Sequence, residues 1–525
     1  MPDDTGAGPD EHVLIRRYRG GSHTRPAGPD PWRPGRDGLL TGVGYSGLAQ
    51  AAPLVVNVVL TPFLLQHLGL DRFGVWSLIL VLLATFTSLD GGVGASLARY
   101  YAFHCARGDR AGAGRLVVGS LVLFVGLGVL VTTGCMLVTP LALDLLNVPA
   151  ALRGETAELL RVVGPLVTLA LVTNSATALL QANSRFRGLA TVSAASCCGY
   201  AAGVLLFVTG ADLPVLAEVL AARYVILLAG GFSLGMRHIT IGRPLLPDTT
   251  VLREFRGYAL RVQLSGLTTF LNGEIDALVI GALLPIRYVA IFAVGYQAAS
   301  ALRSLPLFAF PPILTRMTSA YAARGLAGSV AEFEAVQPRW LPAVLTYGVV
   351  ATSAVGFAVQ LWVGPELALA GLVAAMLMAG YTVHVALTGI RTCFVRASGR
   401  PGLETRYSWF ATALNLVLTV PFAVLFGLVG VVAATVVGLL ASSLYFVVLC
   451  RRVAGLRDRR LTWRWAGATA LGAITAVLGE LLVLRLEWHG VVPLLLAGVP
   501  VLTGLLVTVA VAARDVRTIV WRESG

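Results

Sequence analysis

The chain has 525 residues, of which 56% are hydrophobic and 13% charged, against about 25% charged in an ordinary soluble domain. Its mean hydropathy is +0.79, and apolar runs of the roughly 20 residues needed to cross a bilayer recur along its length, so it reads as an all-α polytopic membrane protein and not a soluble one. The formal net charge of +13 comes with 40 arginines and no lysine; because the arginines gather in alternate connections between apolar runs, they mark membrane orientation and exclude a nucleic-acid partner.

Residues 1–38 carry six arginines among many Pro, Gly and Asp residues and show no hydrophobic periodicity. They read as a disordered cytoplasmic tail without a cleavable leader. Fourteen transmembrane helices are predicted after it, at 39–66, 72–90, 115–140, 159–182, 188–210, 214–236, 258–284, 288–314, 339–363, 367–390, 405–426, 429–450, 465–484 and 491–512. They divide into an N-terminal six-helix bundle (39–238), a cytoplasmic linker (239–257), a C-terminal six-helix bundle (258–452) and a pair of C-terminal helices, 13 and 14 (462–513).

The first predicted span, 39–66, carries Ser46, Gln50, Pro53, Asn57 and Thr61 at steps of 4, 3, 4 and 4 residues, which puts them on one helical face. The seventh, 258–284, repeats the stripe with Arg261, Ser265, Thr268, Asn272 and Asp276, each 215 positions later. The same offset pairs Gly42 with Gly257, Arg72 with Arg287, Ala182 with Ala397 and Arg185 with Arg400. Two like halves of six spans each enter the membrane in the same sense, so they are expected to be pseudo-symmetric about an axis along the membrane normal, with a central cavity between the polar stripes. Asp90, Gly91 and Gly92 close the second span. Glycines there permit a kinked helix end that an aspartate can brace, a structural or gating role.

Thirty-three of the 40 arginines fall in the tails and alternate connections, and four in the remaining connections. This places both termini in the cytoplasm. The outer connections are short, the longest about 18 residues after Pro140, and cannot house the acidic catalytic loops of a membrane glycosyltransferase. Six cysteines lie in or beside apolar spans with no metal-ligand spacing, so neither disulfides nor a metal is expected. No P-loop, HExxH or nucleophile elbow is present, and no cofactor or enzyme activity is expected.

Ionisable groups at membrane depth are costly and point by default to a functional path. Asp276 and Glu274 are the expected ion-coupling acids; they lie about 200° apart around the helix, and Asp276, which belongs to the polar stripe, is the one expected to face the cavity. Arg261, Asn272, Gln50 and Asn57 are the expected cavity contacts on the two stripes. Arg303 lies about 22 Å into the eighth span at 1.5 Å per residue, where it serves as an anion contact or as a brace to Glu274 or Asp276. Arg161, and after it Arg223, are further cavity candidates. His384 reads as a satisfied structural histidine.

Residues 68–76 (LGLDRFGVW), 89–94 (LDGGVG), Arg99 with Tyr100, Asn272 with Asp276, and Pro306 with Pro311 and Pro312 together resemble the Wzx-type polysaccharide flippases of the multidrug/oligosaccharidyl-lipid/polysaccharide flippase superfamily, over roughly residues 39–450. The resemblance implies two six-helix bundles that open a central cavity alternately inward and outward. It also implies an undecaprenyl-pyrophosphate-linked glycan as cargo, carried from the inner to the outer leaflet of the bacterial cytoplasmic membrane for polysaccharide or lipopolysaccharide biosynthesis. Membrane lipid, H+ or Na+, glycosyltransferases and a polymerase are the implied partners. Such a cargo suits arginine, which meets phosphate through parallel hydrogen bonds. A multidrug/cation antiporter of the same superfamily is the alternative, although 39–66 contains no acidic residue. A peptidoglycan-precursor flippase would carry arginines on that span, and it has none. A non-transporting component of polysaccharide assembly, such as a polymerase, would need a large outer loop.

Overall fold

The computed structural model describes residues 39–88, 93–106, 109–146, 148–183, 185–208, 213–236, 275–400 and 402–454, with residues 456 and 477. Asp90, Gly91, Gly92, Arg261, Asn272, Glu274, the tail, the linker and most of helices 13 and 14 lie outside them. All regular structure among the described residues is helical. The helices are α1 (Leu39–Ser88), α2 (Val93–Ala106), α3 (Arg110–Leu145), α4 (Arg153–Ala182), α5 (Phe186–Phe207), α6 (Leu213–Gly235), α7 (275–283), α8 (Arg287–Leu307), α9 (Phe310–Val363), α10 (Ala368–Ala397) and α11 (Gly402–Ala454).

Eight stretches among the described residues are long and apolar enough to cross a membrane. Their outward faces carry large apolar side chains such as Leu130, Leu137, Leu206, Leu361 and Val424, each more than two-thirds exposed. In lipid, that exposure is the stable arrangement. A straight α1 of 50 residues would be about 75 Å long, far more than the roughly 30 Å of hydrocarbon. Gly69 interrupts it with φ 72°, a conformation that glycine reaches without steric cost. Gly427 does the same in α11 with φ 60°. Both glycines fall in the gaps between predicted spans. Two differences from the sequence reading are local. The predicted connection after the second span contains α2, whose Leu97, Tyr101 and Cys105 are buried. The predicted eighth span breaks at Phe308 and Ala309, between α8 and α9.

The offset of 215 recurs in the helix boundaries. The short 3-10 turn Ala150–Leu152 and the 30-residue α4 correspond, end for end, to Pro365–Leu367 and the 30-residue α10. Their C-terminal turns match bond for bond. Arg185 N–H donates to Leu180 O at 2.9 Å and Arg400 N–H to Val395 O at 2.8 Å. The Arg185 guanidinium donates to Leu234 O at 3.0 Å, and that of Arg400 to Val453 O at 3.2 Å. Each arginine therefore satisfies an orphan carbonyl at the end of the last helix of its own half.

Within the N-terminal half, α3 and α4 approach through a reciprocal small-residue contact. A β-carbon on Gly128 would lie 2.1 Å from Thr168 Oγ1, and one on Gly164 would lie 2.3 Å from Thr132 Cα. Each threonine returns its hydroxyl to the glycine carbonyl one turn back, at 2.7 and 3.0 Å. This is how membrane helices gain contact without a hydrophobic driving force.

The halves meet at the end that the arginines assign to the outside. Gly74 packs against Ile286 so closely that a β-carbon would lie 2.4 Å from its carbonyl oxygen. Arg287 pairs with Asp71 at 3.6 Å, and Trp362 Nε1 donates to Val58 O at 2.9 Å. One apolar core runs through this meeting, joining Phe73, Trp76 and Leu78 to Ile286, Val289 and Phe292. Toward the other end the C-terminal half has a separate core around Phe333, Trp340, Phe394 and Phe446. Among the described residues the cores are joined at one end and divided at the other.

Replacing Gly74 by leucine is expected to part the halves at the closed end. Bis-maleimide cross-linking of an Asp71→Cys, Arg287→Cys pair reads this directly: the Gly74→Leu background should lose most of the cross-linked product, and undiminished cross-linking would show that this contact does not hold the end shut.

Candidate functional site

A cavity of about 450 Å³ lies between the halves. On one side, α1 presents Gln50, Pro53, Asn57 and Thr61, four of the five stripe residues read from the sequence; the side chain of Ser46 is outside the described residues. Facing them, α8 presents Val289, Phe292, Tyr296, Gln297 and Ser300, and α5 adds Tyr200. Thr61 Oγ1 donates to Asn57 O at 2.7 Å and lies 3.0 Å from Gln297 Oε1, so it bridges the halves. The wall sets these amides, hydroxyls and aromatic faces, Trp76 among them, in an otherwise aliphatic lining that includes Leu60, Leu64 and Leu80. Such a surface meets sugar hydroxyls by hydrogen bonding and the apolar faces of sugar rings by stacking.

Asp276 is not on that wall. Its neighbour Ala277 lines the cavity, while Asp276 is 2% exposed and turned into the C-terminal half. Adjacent helical residues point about 100° apart, and α11 supplies the partners on that bearing. Thr435 Oγ1 donates to Asp276 Oδ2 at 2.5 Å, Asn415 Nδ2 donates to Oδ1 at 3.4 Å, and Thr419 Oγ1 donates to Asn415 Oδ1 at 2.5 Å. The expectation that Asp276 faces the central cavity is therefore corrected. The carboxylate lies among neutral oxygens and amides, and its oxygens with those of Asn415, Thr419 and Thr435 are hard ligands of the kind that hold a proton or a small cation. Asn415 and Thr419, one helical turn apart on a long apolar helix, were the visible sign of this cluster in the sequence; their partnership with a residue 139 positions away was not.

Arg303 also lies away from the cavity wall. Ser300, one turn earlier, reaches the cavity, but the Arg303 guanidinium stacks 4.6 Å over the ring of Tyr381 on α10. Its Nε and Ser300 Oγ are buried without hydrogen-bond partners. Among the described residues Arg303 is in no ion pair, so the expected brace to Asp276 is not formed here. Arg161 is exposed and off the cavity wall. Arg223 stacks between Tyr200 and Tyr224 at 5.7 and 5.9 Å, directly behind the N-terminal wall. His384 shares a hydrogen bond with Ser443 Oγ at 2.9 Å, the structural role expected of it. Among the described residues no cluster of His, Cys, Asp and Glu could hold a metal, and the cysteines are free.

Thr435→Val leaves Asp276 without its shortest hydrogen bond. The expected cost is about 1–3 kcal/mol, read as a lowered thermal unfolding temperature in detergent; an unchanged temperature would show that the hydroxyl contributes nothing to holding the carboxylate.

No protein-family model and no curated protein match the sequence. Solved structures do. A multidrug resistance MATE family transporter of the MOP superfamily in its inward-facing conformation matches with a TM-score of 0.65 at 14% identity, covering 78% of this chain and 98% of that one. The lipid II flippase MurJ in an inward closed conformation matches with a TM-score of 0.63 at 10% identity, covering 92% of this chain and 100% of that one. An outward-facing MATE transporter of the same superfamily matches less well, with a TM-score of 0.52 at 17% identity over 79% and 96% of the two chains. The chain thus has the fold shared by MATE transporters and MurJ.

Proposed function

We propose that the protein is a membrane transporter, not an enzyme, that carries an undecaprenyl-pyrophosphate-linked oligosaccharide from the inner to the outer leaflet of the bacterial cytoplasmic membrane by alternating access. The observation that carries this reading is the cavity between the halves, shut at the Gly74–Ile286 end and walled by the α1 stripe opposite Gln297, Tyr296 and Tyr200. A glycan and a pyrophosphate cannot cross hydrocarbon unaided, and a wet, hydrogen-bonding route is what such a wall offers. The arrangement is the inward-open member of the cycle, with both termini in the cytoplasm.

In this reading Gln50 and Asn57 contact sugar, joined by Arg261 and Asn272 from the second stripe. Arg303, held on Tyr381 in the present state, turns to the pyrophosphate once cargo enters. Membrane lipid holds the polyprenyl tail, and glycosyltransferases and a polymerase act before and after the step. The Asp276, Asn415, Thr419 and Thr435 cluster is the ion seat, taking H+ or Na+, and links ion binding to the packing of α7 against α11.

The decisive assay is a proteoliposome that moves a labelled undecaprenyl-pyrophosphate oligosaccharide between leaflets. Asn57→Leu with Gln50→Leu is expected to slow it at least about tenfold, the equivalent of one or two lost hydrogen bonds. Asp276→Asn is expected to abolish its dependence on a proton or sodium gradient while leaving the fold intact. The MATE likeness supports a second reading, cation-coupled drug export. Proteoliposomes that exchange a cationic dye and leave the lipid-linked glycan in place would establish that reading and overturn the first.

A further inference from the structure

Apart from the central cavity, a second hollow of about 500 Å³ opens between the end of α8 and α9. Its origin is a proline. Pro306 has no N–H, so the carbonyl of Leu302 loses its helical partner; Tyr347 on α9 replaces it, its hydroxyl donating to Leu302 O at 2.7 Å. The helix ends at the next residue, Leu307, and a groove remains between the two elements. Leu305, Ala309, Val336 and Val344 make its apolar wall. Leu305 and Phe308 are 50% and 63% exposed at its edge, as lipid-facing side chains are.

One charged group sits on this apolar groove. Arg339 lines it and is exposed. On the same arginine-rich connection, Arg316 and Arg324 both lie against Glu332, at 2.6 and 3.9 Å; among the described residues Arg339 has no carboxylate. Beside it, Trp340 also lines the groove and is 7% exposed. Its six-membered ring is fixed against Gly389, where a β-carbon would lie 2.8 Å from Cζ2, and its indole Nε1–H is buried without an acceptor. An unpaired buried donor is uncommon. The Trp340 N–H is shut off from the groove, but an uncompensated guanidinium beside an apolar trough, at the arginine-rich edge of the membrane, is the complement of a phosphate carrying an acyl chain.

We propose that this groove is a binding site for an anionic phospholipid of the cytoplasmic leaflet, its phosphate on Arg339 and one acyl chain along Leu305, Val336 and Val344. The site is separate from the central cavity and does not depend on what that cavity carries. Lipid there wedges the α8–α9 joint at the one point where Tyr347 pins it, and so favours the conformation in which that joint is bent.

Native mass spectrometry of the full chain, released from detergent after mixing with phosphatidylglycerol, tests the proposal. Phosphatidylglycerol adducts are expected to exceed phosphatidylcholine adducts severalfold. Arg339→Gln, at an exposed position, is expected to cut them about tenfold, the loss of one charge-assisted contact; Trp340→Phe, which keeps the ring and removes an N–H that the groove does not reach, is expected to leave them unchanged. Equal adducts with phosphatidylcholine, adducts unaffected by Arg339→Gln, capture of inorganic phosphate alone, or displacement of phosphatidylglycerol by undecaprenyl phosphate would each overturn it. Should Trp340→Phe lower the melting temperature, Arg339→Gln decides alone. A failed oligosaccharide transport assay leaves the adduct result standing, so the two readings fall separately.

Discussion

A β-carbon on residue 74 would need to lie 2.4 Å from the carbonyl oxygen of Ile286. Everything about the interior follows from that approach. It brings α1 against α8 at one end only, with Asp71 and Arg287 beside it and the Trp362 indole tied to Val58 across the joint. At the other end the two halves bury their side chains in separate clusters. The cavity between them gives the polar residues of α1 a face that is not turned to lipid. The amides of Gln50 and Asn57 are tolerable on a membrane helix for this reason alone.

Sequence periodicity recovered the α1 stripe because a single helix decides it: residues at steps of three and four share a face whatever lies opposite. It misplaced Asp276 because the question there involved two helices. The spacing put Asp276 in line with the polar stripe of its span, but the partner that claims the carboxylate, Thr435, lies 159 positions away on another helix. Arg303 was read as a charge in need of a carboxylate. An aromatic ring satisfies it instead, and no linear pattern distinguishes these outcomes. The repeat at 215 was faint in residue identities yet is sharp in the ends of α4 and α10, since the turn geometry constrains where a helix stops more tightly than it constrains side chains. The break at Phe308 was invisible because Pro306 sits comfortably in an apolar run, and the carbonyl it orphans finds its donor only in Tyr347.

The halves resemble each other in outline and differ in chemistry. Among the described residues the buried carboxylate and its hydroxyl neighbours belong to the C-terminal half. The N-terminal half holds Arg223 stacked among tyrosines and a tight glycine–threonine contact between α3 and α4. The C-terminal half has an equally tight contact of its own, where a β-carbon on Gly348 would lie 2.0 Å from Thr382 Cγ2, so the buried carboxylate and not the closeness of packing sets the halves apart.

Arg185 and Arg400 each cap the last helix of their own half. Each half is thereby closed by a bond within itself, and nothing in that closure asks the polypeptide to be continuous from one half to the other. The 215-residue spacing is thus repeated in the bond that ends each half as well as in the bounds of α4 and α10.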